Sequence, residues 1–129
     1  MKTAVITGAS RGIGLATDIR LAGQGYHLVI NSGHNRDALQ EAACTLEQFT
    51  RVETYFGDIS REEHGEGMIA RAIDAFGHID LLINNAGISH IGLLSDMSAA
   101  QWHQVMQTNL DPVFFTCRAA IPHMVRRQQ

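Results

Sequence analysis

Near the amino terminus, the stretch TGASRGIG, Thr7 to Gly14, places three glycines and one arginine directly behind an apolar run. Backbone N–H groups left unpaired in such a turn face whatever lies over the following helix N-terminus, where the macrodipole adds about half a positive charge. A pyrophosphate suits that position. Side chains at Gly8, Gly12 and Gly14 would respectively obstruct a tight turn, the approach of phosphates and the close packing of helix on strand. The spacing GxxxGxG is neither GxGxxG nor the GxxxxGK[ST] of nucleoside triphosphatases, and without the lysine a γ-phosphate has no obvious partner. Dinucleotide binding is therefore expected rather than phosphoryl transfer. A glycine trio alone is also compatible with a tight turn that binds nothing.

The choice of dinucleotide should be made about 20 residues further on, where an NAD site usually has a carboxylate for the ribose 2′-OH. Here Asn31-Ser32-Gly33-His34 offers none before Asp37. These groups tolerate a 2′-phosphate, and Arg11, with Arg36 as a second candidate, would attract it. NADP(H) is expected in preference to NAD(H). Other chemistries find less support. The seven histidines are scattered without HExxH or paired His/Cys spacing, so no metal site is expected. Cys44 and Cys117 lack CxxC spacing and read as reduced core thiols, and Glu62, Glu63 and Glu66 read as a helix first turn rather than as catalytic carboxylates. His90 reads as an exposed loop residue, with substrate contact as its alternative.

The elements that must position these residues follow from periodicity. TAVIT (3–7), YHLVIN (26–31), RVETYF (51–56) and IDLLIN (79–84) are apolar, β-branched runs suited to strands buried on both faces of a parallel sheet. Between them, helical spacing runs from Ile13 to Ala22, stopped by Gly23 and Gly25. It returns through Leu39, Ala42, Ala43 and Leu46 behind a cap at Asn35, and from Glu62 to Phe76 with Gly77 as the stop. A long helix is predicted from about Ala99 to Arg126, with a kink or restart at Pro112 and Pro122. The order βαβαβαβα implies an α/β fold with right-handed crossovers, a partial, doubly wound Rossmann sheet in one domain over residues 1–129.

With TGASRGIG, GDIS at 57–60, NNAG at 84–87 and TNLDPVFF at 108–115 all in order, the chain resembles the short-chain dehydrogenase/reductase family, especially its 3-oxoacyl-acyl-carrier-protein reductases. The resemblance implies that Gly8, Ser10, Arg11, Gly12, Ile13 and Gly14 form the phosphate-binding turn. It implies that Asp58 and Ile59 contact adenine, and that Asn85, Ala86 and Gly87 lie against the adenosine ribose. Asn84 is expected to bond backbone across neighbouring strands. Asn109 is expected to be the asparagine that holds a water in the family's proton relay.

The resemblance also implies a serine on a fifth strand and a YxxxK segment, and neither follows in this sequence, whose only lysine is Lys2 and whose tyrosines are Tyr26 and Tyr55. The expectation is a dinucleotide-binding half, cut before the fifth strand, of an enzyme that would reduce a ketone such as a 3-oxoacyl thioester. The chain alone is expected to be inactive. The fourth strand should then be an exposed edge, and the last helix should show an apolar stripe of Leu110, Val113, Phe114, Cys117 and Ile121 that favours a homo-oligomer. The alternative is a non-catalytic dinucleotide-binding or interaction module that self-associates. Ten basic against thirteen acidic residues give a net charge of −3, which disfavours a nucleic-acid surface, and no apolar run approaches a membrane span. A cytoplasmic protein is the resulting expectation.

Overall fold

The computed structural model describes residues 1–127. In chain order it contains β1 (Thr3–Ile6), α1 (Gly12–Gly23), β2 (His27–Ser32), α2 (Arg36–Leu46), β3 (Val52–Phe56), α3 (Glu62–Phe76), β4 (Leu81–Ile83), a single 3₁₀ turn (Leu94–Asp96), α4 (Ala99–Asn109) and α5 (Asp111–Arg126). The four strands form one parallel sheet in the order β3-β2-β1-β4. The expected α/β, Rossmann-type architecture is observed, with β4 at an edge.

Alternation along the strands divides the core between two faces. Ala4 and Ile6 of β1, with Leu28 and Ile30 of β2, pack against Leu21 and Ala22 of α1 and the Leu39, Ala42, Ala43 and Leu46 face of α2. Val5 and Val29 point the other way, onto Met68, Ile69 and Ala72 of α3 and Ala120 of α5. Full burial of each large aliphatic side chain contributes roughly 1.5–3 kcal/mol, so both faces are needed to hold a sheet this small.

Local signals set most boundaries. Asn35 caps α2 by accepting from the Ala38 N–H at 2.9 Å, and Gly77 ends α3 in the left-handed conformation, with φ of 82°. The long terminal helix is two helices. Proline at 112 has no N–H to give and its ring crowds the preceding turn, so α4 stops and α5 restarts with Pro112 in its first turn. Pro122 stays inside α5. A capping box between Ser98 and Gln101 starts α4.

Some residues lie elsewhere than expected. Cys44 is exposed, because α2 buries Leu39, Ala42, Ala43 and Leu46 and position 44 falls off that stripe. Cys117 is half-buried. The Asn84 side chain reaches a helix rather than a neighbouring strand: its Oδ1 lies 2.6 Å from the Thr116 hydroxyl and its Nδ2 donates to Cys117 Sγ at 3.6 Å, tying the end of β4 to α5. The expected stripe is present on α5 and at the Leu110 that caps it, with Leu110, Phe114 and Ile121 each more than half exposed, at 54%, 57% and 53%.

Candidate dinucleotide site

At the carboxyl ends of the strands, an open cavity of about 580 Å³ runs over the N-terminus of α1. This is where ligands collect in open parallel sheets, because the strand order reverses there and the two neighbouring loops part. Its walls bring together the turn after β1, the loop after β2, the loop after β3 and the segment after β4. Gly8, Ser10, Arg11, Gly12, Ile13, Asp58, Ile59, Asn85, Ala86 and Gly87 all line it.

The three glycines meet three different demands. Gly8 has φ of 60°, and a Cβ there would lie 2.8 Å from Ala86 Cα, so the turn and the chain after β4 can touch only without a side chain. Gly14 does not line the cavity; a Cβ on it would run into the Gly8 carbonyl oxygen and lie 2.7 Å from Asn85 Nδ2, which makes it the packing glycine of helix on turn. Gly12 has φ of 58° and nothing within 4 Å, leaving its approach open. The helix it begins has no side-chain cap and no acidic residue in its first turn. Its leading N–H groups, which lack helical partners, are therefore available to an anion.

A threonine that sequence reasoning passed over locks this turn to β4. The Thr7 hydroxyl accepts from the N–H groups of Asn85 at 2.9 Å and Ala86 at 3.0 Å, while Asn85 Nδ2 donates to the Gly8 carbonyl at 2.9 Å. Thr7 immediately precedes Gly8, and its buried hydroxyl beside a glycine turn was the available signal.

At the opposite end, the Asp58 carboxylate accepts from the Ser60 N–H at 3.0 Å. Partial burial acts to raise this carboxyl, but the bonds from Ser60, with smaller contributions from His34 and His64, outweigh it and hold the group below its usual range. Asp58 is thus an ionised acceptor suited to an exocyclic amine. In the loop after β2, the Ser32 hydroxyl is engaged by the Asn35 N–H at 3.2 Å, and Asn31 turns its amide into the protein. The guanidinium-bearing Arg11 and the imidazole of His34 both line the cavity. Arg36 is not among them: its guanidinium lies 4.3 Å from the centre of the Phe56 ring, a cation–π contact on the outside of β3.

Asn109, at the end of α4, makes a two-point clamp on the segment after β4. Its Oδ1 accepts from the Ile88 N–H and its Nδ2 donates to the Ile88 carbonyl, both at 2.7 Å. His90 is exposed and does not line the cavity.

The family model for short chain dehydrogenases matches residues 2–129. The chain belongs to the short-chain dehydrogenase family. It is 35% identical over 126 residues to a D-beta-hydroxybutyrate dehydrogenase of Cupriavidus necator, covering 98% of this chain and 49% of that protein. It is 34% identical to a 3-oxoacyl-[acyl-carrier-protein] reductase of Staphylococcus epidermidis, covering 98% of this chain and 52% of the relative. Among solved structures, a double mutant of a Serratia marcescens short-chain dehydrogenase/reductase superposes with a TM-score of 0.89 at 26% identity, over 95% of this chain and 50% of that one. The chain spans about half the length of the curated relatives it matches. Membership in this dehydrogenase family implies a nicotinamide dinucleotide cofactor. The open backbone at Gly12, the uncapped α1 and the ionised Asp58 fit such a group. Among the described residues, no helix is long and apolar enough to cross a membrane.

Proposed function

We propose that this chain is the dinucleotide-binding half, a single incomplete domain over residues 1–129, of an NADP(H)-dependent reductase acting on a ketone such as a 3-oxoacyl thioester. The observation that carries the reading is Gly12: a positive-φ glycine with open space before it, at the head of an uncapped helix and flanked by Arg11, which lines the same cavity. When bound, the nicotinamide cofactor supplies or accepts a hydride. The first-turn N–H groups of α1, with Ser10 and Ile13 beside them, hold the pyrophosphate. Asp58 accepts from the adenine amine with Ile59 against the ring, and Asn85, Ala86 and Gly87 present a small backbone to the ribose. Arg11 reads the 2′-phosphate. Asn109, read as the relay asparagine, fastens the Ile88 backbone at the border of the site.

The serine, tyrosine and lysine of the family's chemistry have no counterparts here. Lys2 precedes β1, Tyr26 lies just before β2, and the Tyr55 hydroxyl is 3.0 Å from His64 Nδ1 on the far side of β3. These 129 residues alone therefore bind without turning over a ketone. Titration with NADPH and NADH tests the assignment. Arg11→Ala should weaken NADPH by about tenfold or more, the loss of one charge-assisted contact, and leave NADH within about twofold. Equal losses for both would remove Arg11 from the 2′-phosphate.

A second reading, a self-associating binding module in a cytoplasmic setting, is favoured by the apolar groove of Leu110, Val113, Phe114, Cys117 and Ile121 on α5. It requires the purified chain to sediment as a defined homo-oligomer with a cooperative melt. A monomer or heterogeneous aggregate would eliminate it.

A further inference from the structure

Asn31 joins two loops of the cavity through one side chain. It sits near the end of β2, is 1% exposed, and pairs with Tyr55 in the β2–β3 register. Its Oδ1 accepts from the Gly8 N–H at 3.2 Å, and its Nδ2 donates to the carbonyls of Tyr55 at 3.1 Å and Gly57 at 3.0 Å. An oxygen facing an N–H and a nitrogen facing two carbonyls leave no ambiguity about the amide's orientation. The main-chain carbonyl of the same residue accepts from the Ala9 N–H at 2.8 Å. Gly8 and Ala9 open the phosphate turn, and Gly57 is the residue before Asp58.

The loop after β3 leaves the sheet at Phe56 and has one backbone bond back to β2, from the Gly57 N–H to the Ser32 carbonyl at 3.0 Å. The Asn31 amide supplies a bond to the carbonyl of the same residue. No other natural side chain of this size both accepts from one loop and donates twice to the other. Aspartate accepts but does not donate when ionised, and leucine does neither.

We propose that Asn31 is a positioning residue that sets the distance between the pyrophosphate turn and the adenine-facing Asp58, so that both ends of the dinucleotide meet a preformed site. This rests on the dinucleotide reading above. Residue 31 borders the cavity, but its side-chain polar atoms are all turned to Gly8, Tyr55 and Gly57, so the amide acts through these two loops.

Asn31→Asp tests it through a pH profile that a purely structural role would not produce. At pH 8 an ionised aspartate faces two carbonyl oxygens; on protonation it regains one donor, and burial among acceptors raises the pH at which this happens. Relative to wild type at each pH, NADPH affinity should be about tenfold or more lower at pH 8 and recover to within about threefold near pH 5.5, the scale of one buried hydrogen bond. A ratio that stays at one, or stays low at both pH values, overturns the proposal.

Hydrogen exchange on the ligand-free protein gives an arm that does not depend on cofactor. In Asn31→Leu the Gly8 amide should exchange about tenfold faster, whereas the Ala9 amide, bonded to the main chain of residue 31, should keep its rate; equal changes at both, or none at Gly8, overturn the proposal. Should either variant fail to fold, the Asn31 side-chain amide protons of the wild-type chain decide, being protected if the three bonds persist in solution and exchanging at solvent rates if the proposal is wrong. Failure of the wild-type chain to bind NADPH or NADH would sink the dinucleotide reading, and the Gly8 and Ala9 exchange pattern would still judge the coupling.

Discussion

The two faces of the sheet bury comparable aliphatic cores, but the polar side chain that a helix drives into each is satisfied differently. On the α1 side, Gly14, Asp18, Leu21 and Ala22 form the buried stripe of the helix, and Asp18 is wholly buried with neither carboxylate oxygen hydrogen-bonded among the described residues. On the α5 side, Thr116 is as deeply buried, but its hydroxyl lies 2.6 Å from Asn84 Oδ1 and 2.9 Å from the Pro112 carbonyl. A core tolerates a polar group that brings its partner and resists one that does not. The difference is greatest for an ionisable group. Thr3 Oγ1, also unpaired, forfeits only the hydration of a neutral hydroxyl.

Burial pushes the Asp18 carboxyl up from 3.8 to about 8, and it has no compensating bond. The folded chain therefore keeps this proton while the unfolded chain has released it, so stability is greatest below about pH 4 as far as this group is concerned. It falls as pH rises toward 8 and levels beyond, by up to about 1.4 kcal/mol per pH unit and on the order of 5 kcal/mol in all. The largest expected effect is accordingly at this residue. Asp18→Ala should raise the unfolding free energy at pH 7 by roughly 2–4 kcal/mol, and Asp18→Asn should flatten the pH dependence between 5 and 8, both measured by urea denaturation. If wild type and Asp18→Asn show parallel pH profiles, the contrast between the two faces does not exist.

The opposite face supplies the next test. Thr116→Val keeps the shape but strands Asn84 Oδ1, and should cost about 1–2 kcal/mol in urea unfolding, with Thr116→Ser recovering most of it. A neutral Thr116→Val would mean that satisfied and orphaned groups are energetically alike here. The smallest effect is expected at the surface of this face, where Arg118 pairs with Glu62 and Glu66 and stacks 4.6 Å from the Phe114 ring centre. All three charged side chains are about half exposed. Arg118→Ala should cost less than about 1 kcal/mol in the same urea assay, and that loss should shrink further in 1 M salt.

The cavity and the α5 groove teach a related lesson about legibility. The glycine turn could be read residue by residue: positive φ at Gly8 and Gly12 and the packing role of Gly14 are consequences of having no Cβ, a property each position carries by itself. The caps at Asn35 and Gly77 were legible for the same reason, as was the break at Pro112. Exposure at Cys44 was misread because its apolar neighbours at Ala42 and Ala43 blur the edge of a helical stripe. Arg36 was a plausible phosphate ligand in sequence, but the Phe56 ring that holds it is 20 residues away. Thr7 was passed over, and Asn31 was read only as a group that tolerates a 2′-phosphate, because the groups they bind come from distant segments of the chain.

Alone, the sequence determined the alternation of strands and helices, the glycine turn with Arg11 and the family, since spacing, backbone freedom and helix caps act within a few residues of chain. The tertiary structure decided which polar side chains found partners: Thr7 meets Asn85 across 78 residues, Asn31 meets Gly8 across 23, and Asp18 meets none. A hydrogen bond needs a donor and an acceptor within about 3 Å of one another, and that coincidence is fixed only when the sheet brings distant strands together.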